Sequence, residues 1–588
     1  MKNNFSHYLC CIFFIGVTSV MCLFYIAPVF SAPPDGVIRE QEQIQRAAEE
    51  QQRQMERAHM EMLKRKTLDI EIEQPKPTVE SAKDGVCLQV ERILFTGATL
   101  LSESDKSMLA TPFTGRCLNM DQINEAVRAV TNLYIERGYV TTRAIVPVQD
   151  LGSRQLEIRI IEGEVESIRL NEDSPQDRRR VAVAFPGGLR GKPLNLRDIE
   201  QGMDQLNRLP SSNAQLRIEP GEKPGASRIM VVDQPGKTWR FRMGLDNSGQ
   251  ESTGETKYTV SADKDNLLGL NDMITLNLNA DAKTLKNMSR PDTQSYSGYY
   301  TLPFGYWSMT ASASVSDYYA QLEGGGAEYQ SSGSTTIYGL GLDRVLHRDN
   351  DSKTSAGLSF NVKDIDNYIE NERLVASSYD LSVLGASLNH NRRFLDGALG
   401  LSGEYNIGLP VIGADQDTTS DRSVPKHEFH KLSLTGSWVR PFAVAEQPFT
   451  FSTRGTAQWS PDTLYNSERL DLGSRYTVRG FQRESLAGDI GGYMRNEIST
   501  AVLPRETMPD WLGSAFGELQ VYAGYDIGYI HHDKDDEYEG GSLQGAAMGL
   551  RTQGGYLDSD LCLSKALDAP SFMNNRDWEL YWVVNSNF

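Results

Sequence analysis

From about residue 239 to Phe588, apolar and polar positions alternate in segments of about ten residues, separated by turns rich in Gly, Asn and Asp. Segments 239–246, 274–280, 306–316, 354–362, 449–459, 541–550 and 578–584 show the pattern most plainly. A period of two puts one row of side chains on each face of a strand. Sixteen such segments fit into residues 237–588, and 352 residues shared among sixteen leaves 22 for each strand with its connection. That spacing predicts a 16-stranded antiparallel transmembrane β-barrel, with lipid on one face of every strand and a polar lumen on the other. A soluble propeller or solenoid would repeat a motif at a fixed period, and this span contains none.

Upstream the pattern changes. Residues 84–163 read as a small α/β unit. Leu88, Val90, Ile93 and Phe95 form a strand ended by Gly97, and 102–110 a short helix. Residues 120–137 carry Ile123, Ala126, Val127, Val130, Leu133 and Tyr134 at helical spacing, and Gly138 closes that helix. Residues 141–146 and 156–161 alternate as strands. Residues 164–236 repeat this order, with a strand at 165–170, helices at 178–184 and 196–207, and strands at 216–218 and 228–232. The two units form an internal structural repeat. Before them, 67–83 holds Pro75 and Pro77 among charged residues, an extended linker. Residues 36–66 are rich in Glu, Gln, Arg, Ala and Met, with no Gly or Pro in their interior, and predict a helix. It is polar on all sides, so it is solvated or sits in a wet cavity. At 1.5 Å per residue it spans about 40 Å, enough to cross a membrane-sized pore.

Lys2 followed by the apolar stretch 8–30 reads as a secretory signal, residues 1–31. Val29 and Ser31 are the small residues that favour cleavage after Ser31; cleavage after Ala32 would place Pro33 next. Beyond residue 30 no run of 18 apolar residues occurs, so no transmembrane helix is expected. Signal, alternating strands and no such helix together indicate the outer membrane of a Gram-negative bacterium. Cys10, Cys11 and Cys22 leave with the signal. Cys87 and Cys117 can close a disulfide in an oxidising compartment, which leaves Cys562 over. A net charge of −19 and a pI near 5.0 argue against a nucleic-acid partner.

Catalytic signatures are missing: there is no P-loop, Gly-x-Ser-x-Gly or His-Glu-x-x-His. Neither an enzyme nor a cofactor or metal is expected, and ATP is not the energy source. His427-Glu428-Phe429-His430 brings its second histidine one residue early for a zinc helix and reads as strand. The charged run 531–537 reads as an acidic extracellular loop. Cys562 shares its parity with Asp558, Asp560 and Ser564 and should face the lumen. The most informative stretch is Val478-Arg479-Gly480-Phe481. An arginine between apolar residues suits a confined wet space where it must reach a carboxylate, and Gly480 lets the backbone bend there.

Several fragments carry a resemblance. They are Cys87 and Cys117, Thr131-Asn132-Leu133-Tyr134-Ile135-Glu136-Arg137-Gly138-Tyr139, Val478-Arg479-Gly480-Phe481, Gly492-Tyr493-Met494-Arg495-Asn496-Glu497 and Ala523-Gly524-Tyr525-Asp526-Ile527-Gly528. In that order they resemble the two-partner secretion transporters of the Omp85 superfamily, which export haemolysins, adhesins and contact-dependent inhibition toxins. Overall likeness leans toward the last group. The resemblance implies that helix 36–66 plugs the pore, and that 84–163 and 164–236 are POTRA domains, the first flanked by Cys87 and Cys117. These would receive a large unfolded exoprotein with an N-terminal two-partner secretion domain, whose folding outside the cell helps drive export. It implies that the loop around 461–491, after the eleventh strand, folds into the barrel and that Arg479 at its tip pairs with Asp526 on the thirteenth. Alternation places Asp526 on one face with Tyr522, Gly524 and Gly528, and Arg495 and Glu497 with Tyr493 toward the lumen. The terminal Phe588 resembles the signal read by the barrel assembly machinery. That machinery, periplasmic chaperones and outer-membrane lipid are the other expected partners of a monomer. A barrel insertase of the same superfamily, or a passive porin, is the alternative. Insertases usually carry more POTRA units, and a porin needs no receptor domain.

Overall fold

The computed structural model describes residues 87–588 except 150, 250–253, 284–291, 325, 422, 533–539 and 574–576, together with positions 37, 40–46, 50, 53–55, 57 and 59. The signal segment 1–31, the linker 67–83 and most of the run 531–537 lie outside the described residues.

In the first α/β unit the strand expected from Leu88 to Phe95 is two strands. Val90 and Ile93 are both buried although three apart, which one straight strand cannot arrange. The chain breaks at Glu91, whose N–H donates to Arg154 O at 2.8 Å. Leu88–Val90 pairs antiparallel with Arg116–Leu118. Arg92–Thr96 pairs parallel with Gln155–Ile161, and Arg143–Ile145 lies antiparallel on the other margin. Helix Glu103–Ala110 begins at a reciprocal cap between Ser102 and Asp105, and Met120–Glu136 at one between Asn119 and Gln122. The longer helix lays Ile123, Ala126, Val130 and Tyr134 on a core that includes Leu156, Ile158 and Ile160.

Cys87 and Cys117 are bridged, tying the first short strand to its partner, and Cys562 is free. Closing a loop of separation 30 stabilises by about 3–4 kcal/mol in the chain-entropy model. A soluble fragment of residues 84–236 should therefore lose about that much on reduction, read from urea unfolding with and without reductant.

The second unit repeats the layout. Glu164–Leu170 runs parallel to Ala226–Asp233, and Ala214–Pro220 pairs antiparallel with the same central strand. Its first helix is Pro175–Ala184, starting three residues before the expected 178. Ser174 caps it, and Pro175 is accepted at the first helical position because no intrahelical N–H is needed there. This unit is fastened to the barrel mouth. Arg180, held within the unit by Asp233 Oδ2 at 2.7 Å, donates from Nε to Asn271 Oδ1 of the barrel at 2.8 Å, and Tyr306 Oη of the barrel donates to Asp198 Oδ1 at 2.6 Å.

Sixteen antiparallel strands, from Trp239–Asp246 to Trp578–Asn587, pair in chain order and close into a barrel. The seam joins Val583–Asn587 to Arg242–Asp246, and Phe588 continues it through mutual backbone hydrogen bonds with Phe241 at 2.9 and 3.2 Å. Most strands are longer than the ten-residue segments of the alternation, and Ala327–Arg348 has 22 residues, whereas Trp239–Asp246 has 8. Apolar alternation lasts only as far as lipid does. Beyond it, polar pairs such as Ser332↔Tyr368 and Ser334↔Asp366 continue the ladder.

The described positions between 37 and 59 are helical and lie inside the barrel. Val37 and Ile44 pack on Tyr318, Leu322 and Ile369 at the end far from the α/β units. His59 stacks on Tyr299 with ring centres 5.0 Å apart, and its Nε2 lies 3.0 Å from Thr301 Oγ1, toward the other end. A helix polar all round suits a lumen lined by alternating polar residues.

Candidate functional site

Between the eleventh strand, Gln447–Trp459, and the twelfth, Gly491–Leu503, the chain turns into the lumen. A short hairpin, Leu470–Leu472 with Leu486–Gly488, stiffens this loop. Its tip carries Val478 and Phe481, both fully buried, in a cluster with Leu472, Leu486, Ile530 and Leu543. The apolar bracket around Arg479 thus seals the tip against the wall. Gly480 has φ +99°, and a Cβ there would lie 2.6 Å from Ala566 N, so the bend requires glycine.

Arg479 is 2% exposed and Asp526, on the thirteenth strand Glu518–Ile530, is 0% exposed. Arg479 Nε donates to Asp526 Oδ2 at 2.6 Å and Nη2 to Oδ1 at 2.8 Å, a two-pronged pair. The Arg479 backbone N–H adds a third bond to Oδ2 at 3.2 Å. Tyr522, Asp526, Gly528 and Ile530 are buried while Ala523, Tyr525, Ile527 and Tyr529 are exposed, so the carboxylate reaches inward by strand alternation alone.

A wider network holds this pair. Arg479 Nη1 donates to Glu497 Oε2 at 3.2 Å, and Arg551 Nη2 donates to Glu497 Oε1 at 3.1 Å. Arg551 Nε also reaches Asp560 Oδ2 at 3.4 Å, and Arg475 Nη2 lies 3.3 Å from the same oxygen. Arg495 Nη1 donates to Arg475 O at 3.0 Å. Arg495 and Glu497 therefore both meet the loop or its partners. Cys562 is buried beside Tyr522, Ala547 and Tyr581, on the lumen face.

The seat under the tip is glycine. A Cβ on Gly545 would fall 1.9 Å from Arg479 O, and one on Gly524 2.2 Å from Arg479 Nη2. Gly545 meets backbone, which cannot swing aside as a side-chain end can. Gly545→Ala should lift the tip without removing any charge. Trypsin should then cut the loop in folded, heat-modifiable barrels at least about tenfold faster than in the wild type, since about 1.4 kcal/mol of strain suffices for that ratio.

Other loop partners were not legible in the sequence. Glu468, 4% exposed, is gripped by Lys363 of the seventh strand, Ser352–Ile369, and Lys431 of the tenth, His430–Val444. The available signal was a charge at inward parity: Lys363 alternates in phase with the buried Ile365 and Asn367. His427 is not in a strand as expected but in the loop before the tenth strand. It lies 3.2 Å from Asp417 and 2.9 Å from Tyr465 Oη. The chain reverses there because a strand begins only at His430, where pairing with Ile407 starts. Among the described residues no group of His, Cys, Asp and Glu is arranged to hold a metal ion.

Residues 225–552 match the family model described as haemolysin secretion/activation protein ShlB/FhaC/HecB. Residues 88–163 match the ShlB-type POTRA domain and residues 164–220 a POTRA domain. The chain is 34% identical over 510 residues to an outer membrane transporter CdiB of Escherichia coli, covering 87% of this chain and 84% of the relative. It is 32% identical over 434 residues to the hemolysin transporter protein ShlB of Serratia marcescens, covering 74% and 76%. The solved structure of CdiB from Escherichia coli superposes with a TM-score of 0.83 at 33% identity, covering 93% of this chain and 99% of that one.

Proposed function

The chain belongs to the haemolysin secretion/activation family of outer-membrane transporters, and on that premise we propose that its client is a large exoprotein of the contact-dependent inhibition class. It is a two-partner secretion transporter of the outer membrane, with two periplasmic POTRA domains ahead of a 16-stranded translocation barrel. The choice of client class rests on likeness to the Escherichia coli CdiB, which extends over more of the chain than likeness to the Serratia marcescens ShlB.

In this reading residues 1–31 direct export and are removed, 36–66 plug the lumen, and 67–83 link the plug to POTRA domains at 84–163 and 164–236. The observation that carries it is the buried Arg479–Asp526 pair, which holds the loop tip in the lumen beside the helix. A client must displace what fills the pore, so a closed resting channel opens only for a chain delivered from below. An extended client segment adds a strand to a POTRA sheet margin. Arg143–Ile145 is one such margin, shorter than the expected 141–146. Thr142 is buried just outside it, with its N–H given to Tyr139 O at 3.2 Å. The barrel assembly machinery reads the Phe588 end during insertion, periplasmic chaperones escort the chain before it, and the transporter works as a monomer.

The test is co-expression with a candidate client, a very large exoprotein of that class. Client should reach the medium or cell surface only when this chain is present. A folded barrel with all client retained in the periplasm would refute the export reading; rescue of outer-membrane protein assembly in an insertase-depleted strain would favour the insertase instead.

A further inference from the structure

We propose that Glu468 is a second anchor of the inward-folded loop and that it positions the stretch on which the lumenal helix rests. Its carboxylate accepts from Lys363 Nζ at 2.5 Å and from Lys431 Nζ, and its backbone oxygen accepts from Gln458 Nε2 at 3.1 Å. These partners sit on the seventh, tenth and eleventh strands, whereas the Arg479 lock is on the thirteenth. The loop is thus pinned to the wall at two separate places. Two buried ammonium groups repel each other unless an anion lies between them, so Glu468 is what lets both lysines face this spot.

The helix meets the loop immediately beside that anchor. Ser467 O accepts from Arg53 Nη1 at 3.1 Å, and Asn466 Oδ1 from Arg46 Nη1 at 3.5 Å. Ser467 N–H donates to Tyr379 Oη at 3.3 Å, and the same hydroxyl accepts from Gln45 Nε2 at 3.4 Å. These polar contacts of the helix land on backbone and side-chain acceptors next to Glu468. When Glu468 lets go, those acceptors move and the helix loses its register. The two anchors divide the work: Arg479 seats the tip, and Glu468 seats the helix. Glu468 acts through these neighbours and is a positioning residue.

This inference rests on the helix being a plug, and it is tested on the full chain without client, so that its failure is separable from failure of the export reading. The readout is single-channel behaviour in planar bilayers. Glu468→Gln should raise the fraction of time in the high-conductance state about tenfold, within the range of about 5–150-fold usual for coupled sites. The heat-modifiable fraction of barrel should not change. Glu468→Asp keeps a carboxylate between the lysines and should stay near the wild type. In a chain lacking 36–66, Glu468→Gln should add nothing, because there is no helix to release. Wild-type gating by Glu468→Gln would overturn the anchor, and an equal rise in the helix-less chain would overturn its coupling to the helix. If Glu468→Gln fails to insert, Lys431→Met, which leaves one lysine against one carboxylate, carries the same expectations. If helix deletion leaves conductance unchanged, the plug reading fails instead. The anchor is then read from thiol labelling of Gln43→Cys in a Cys562→Ser background: labelling should quicken in Glu468→Gln, and unchanged labelling would refute it.

Discussion

Arg479→Ala should nearly abolish export while the barrel still inserts. The sixteen strands pair without the loop, so heat-modifiability is preserved. Asp526 would be left fully buried with its principal partner gone. Removing one partner of a buried pair costs about 3–5 kcal/mol, and at about 1.4 kcal/mol per tenfold the seated loop becomes a hundredfold or more rarer. Asp526→Ala should be somewhat milder, because Arg479 keeps its 3.2 Å bond to Glu497. The double variant should lose less than the sum, since each change removes a contact the other has already broken. Arg479→Lys keeps the charge but not the fork, and should recover only part of the export. The measurement is secreted client per unit of heat-modifiable barrel for all four variants. Strictly additive losses would show that the two residues act separately.

Deleting residues 36–66 should raise single-channel conductance several-fold and leave the barrel folded. The described helix residues fill the lumen from Tyr318 and Leu322 at one end to Thr301 at the other. Gln45, Arg46 and Arg53 are bonded to lumen wall or loop, so the helix excludes ions along the path it occupies. Among the described residues no strand pairing involves it. The remaining obstruction would be the inward loop, held by the Arg479 and Glu468 contacts. Conductance equal to that of the intact chain would mean that the helix does not close the pore.

Much of this was written locally in the chain. A period of two marks a strand wherever one face is lipid and the other a polar lumen, because each residue reports its own environment. That is why Asp526 could be placed on one face with Tyr522, Gly524 and Gly528 from its neighbours, its pairing with Arg479 coming from the family resemblance, and why helix Leu196–Asn207 was bounded correctly by its spacing. The Val478-Arg479-Gly480-Phe481 bracket likewise announces a buried arginine at a bend. Where local pattern and pairing diverge, only the tertiary structure decided. One apolar run near Val90 became two strands because its halves pair with different partners. Strand ends outran the alternation because backbone pairing continues where lipid stops. The glycine seat at Gly545 depends on how closely a distant loop approaches. The Glu468 anchor joins residues 105 and 37 positions apart along the chain. Such pairs are set by the register of every intervening strand and by the closure of the barrel, and no stretch of sequence contains that register by itself.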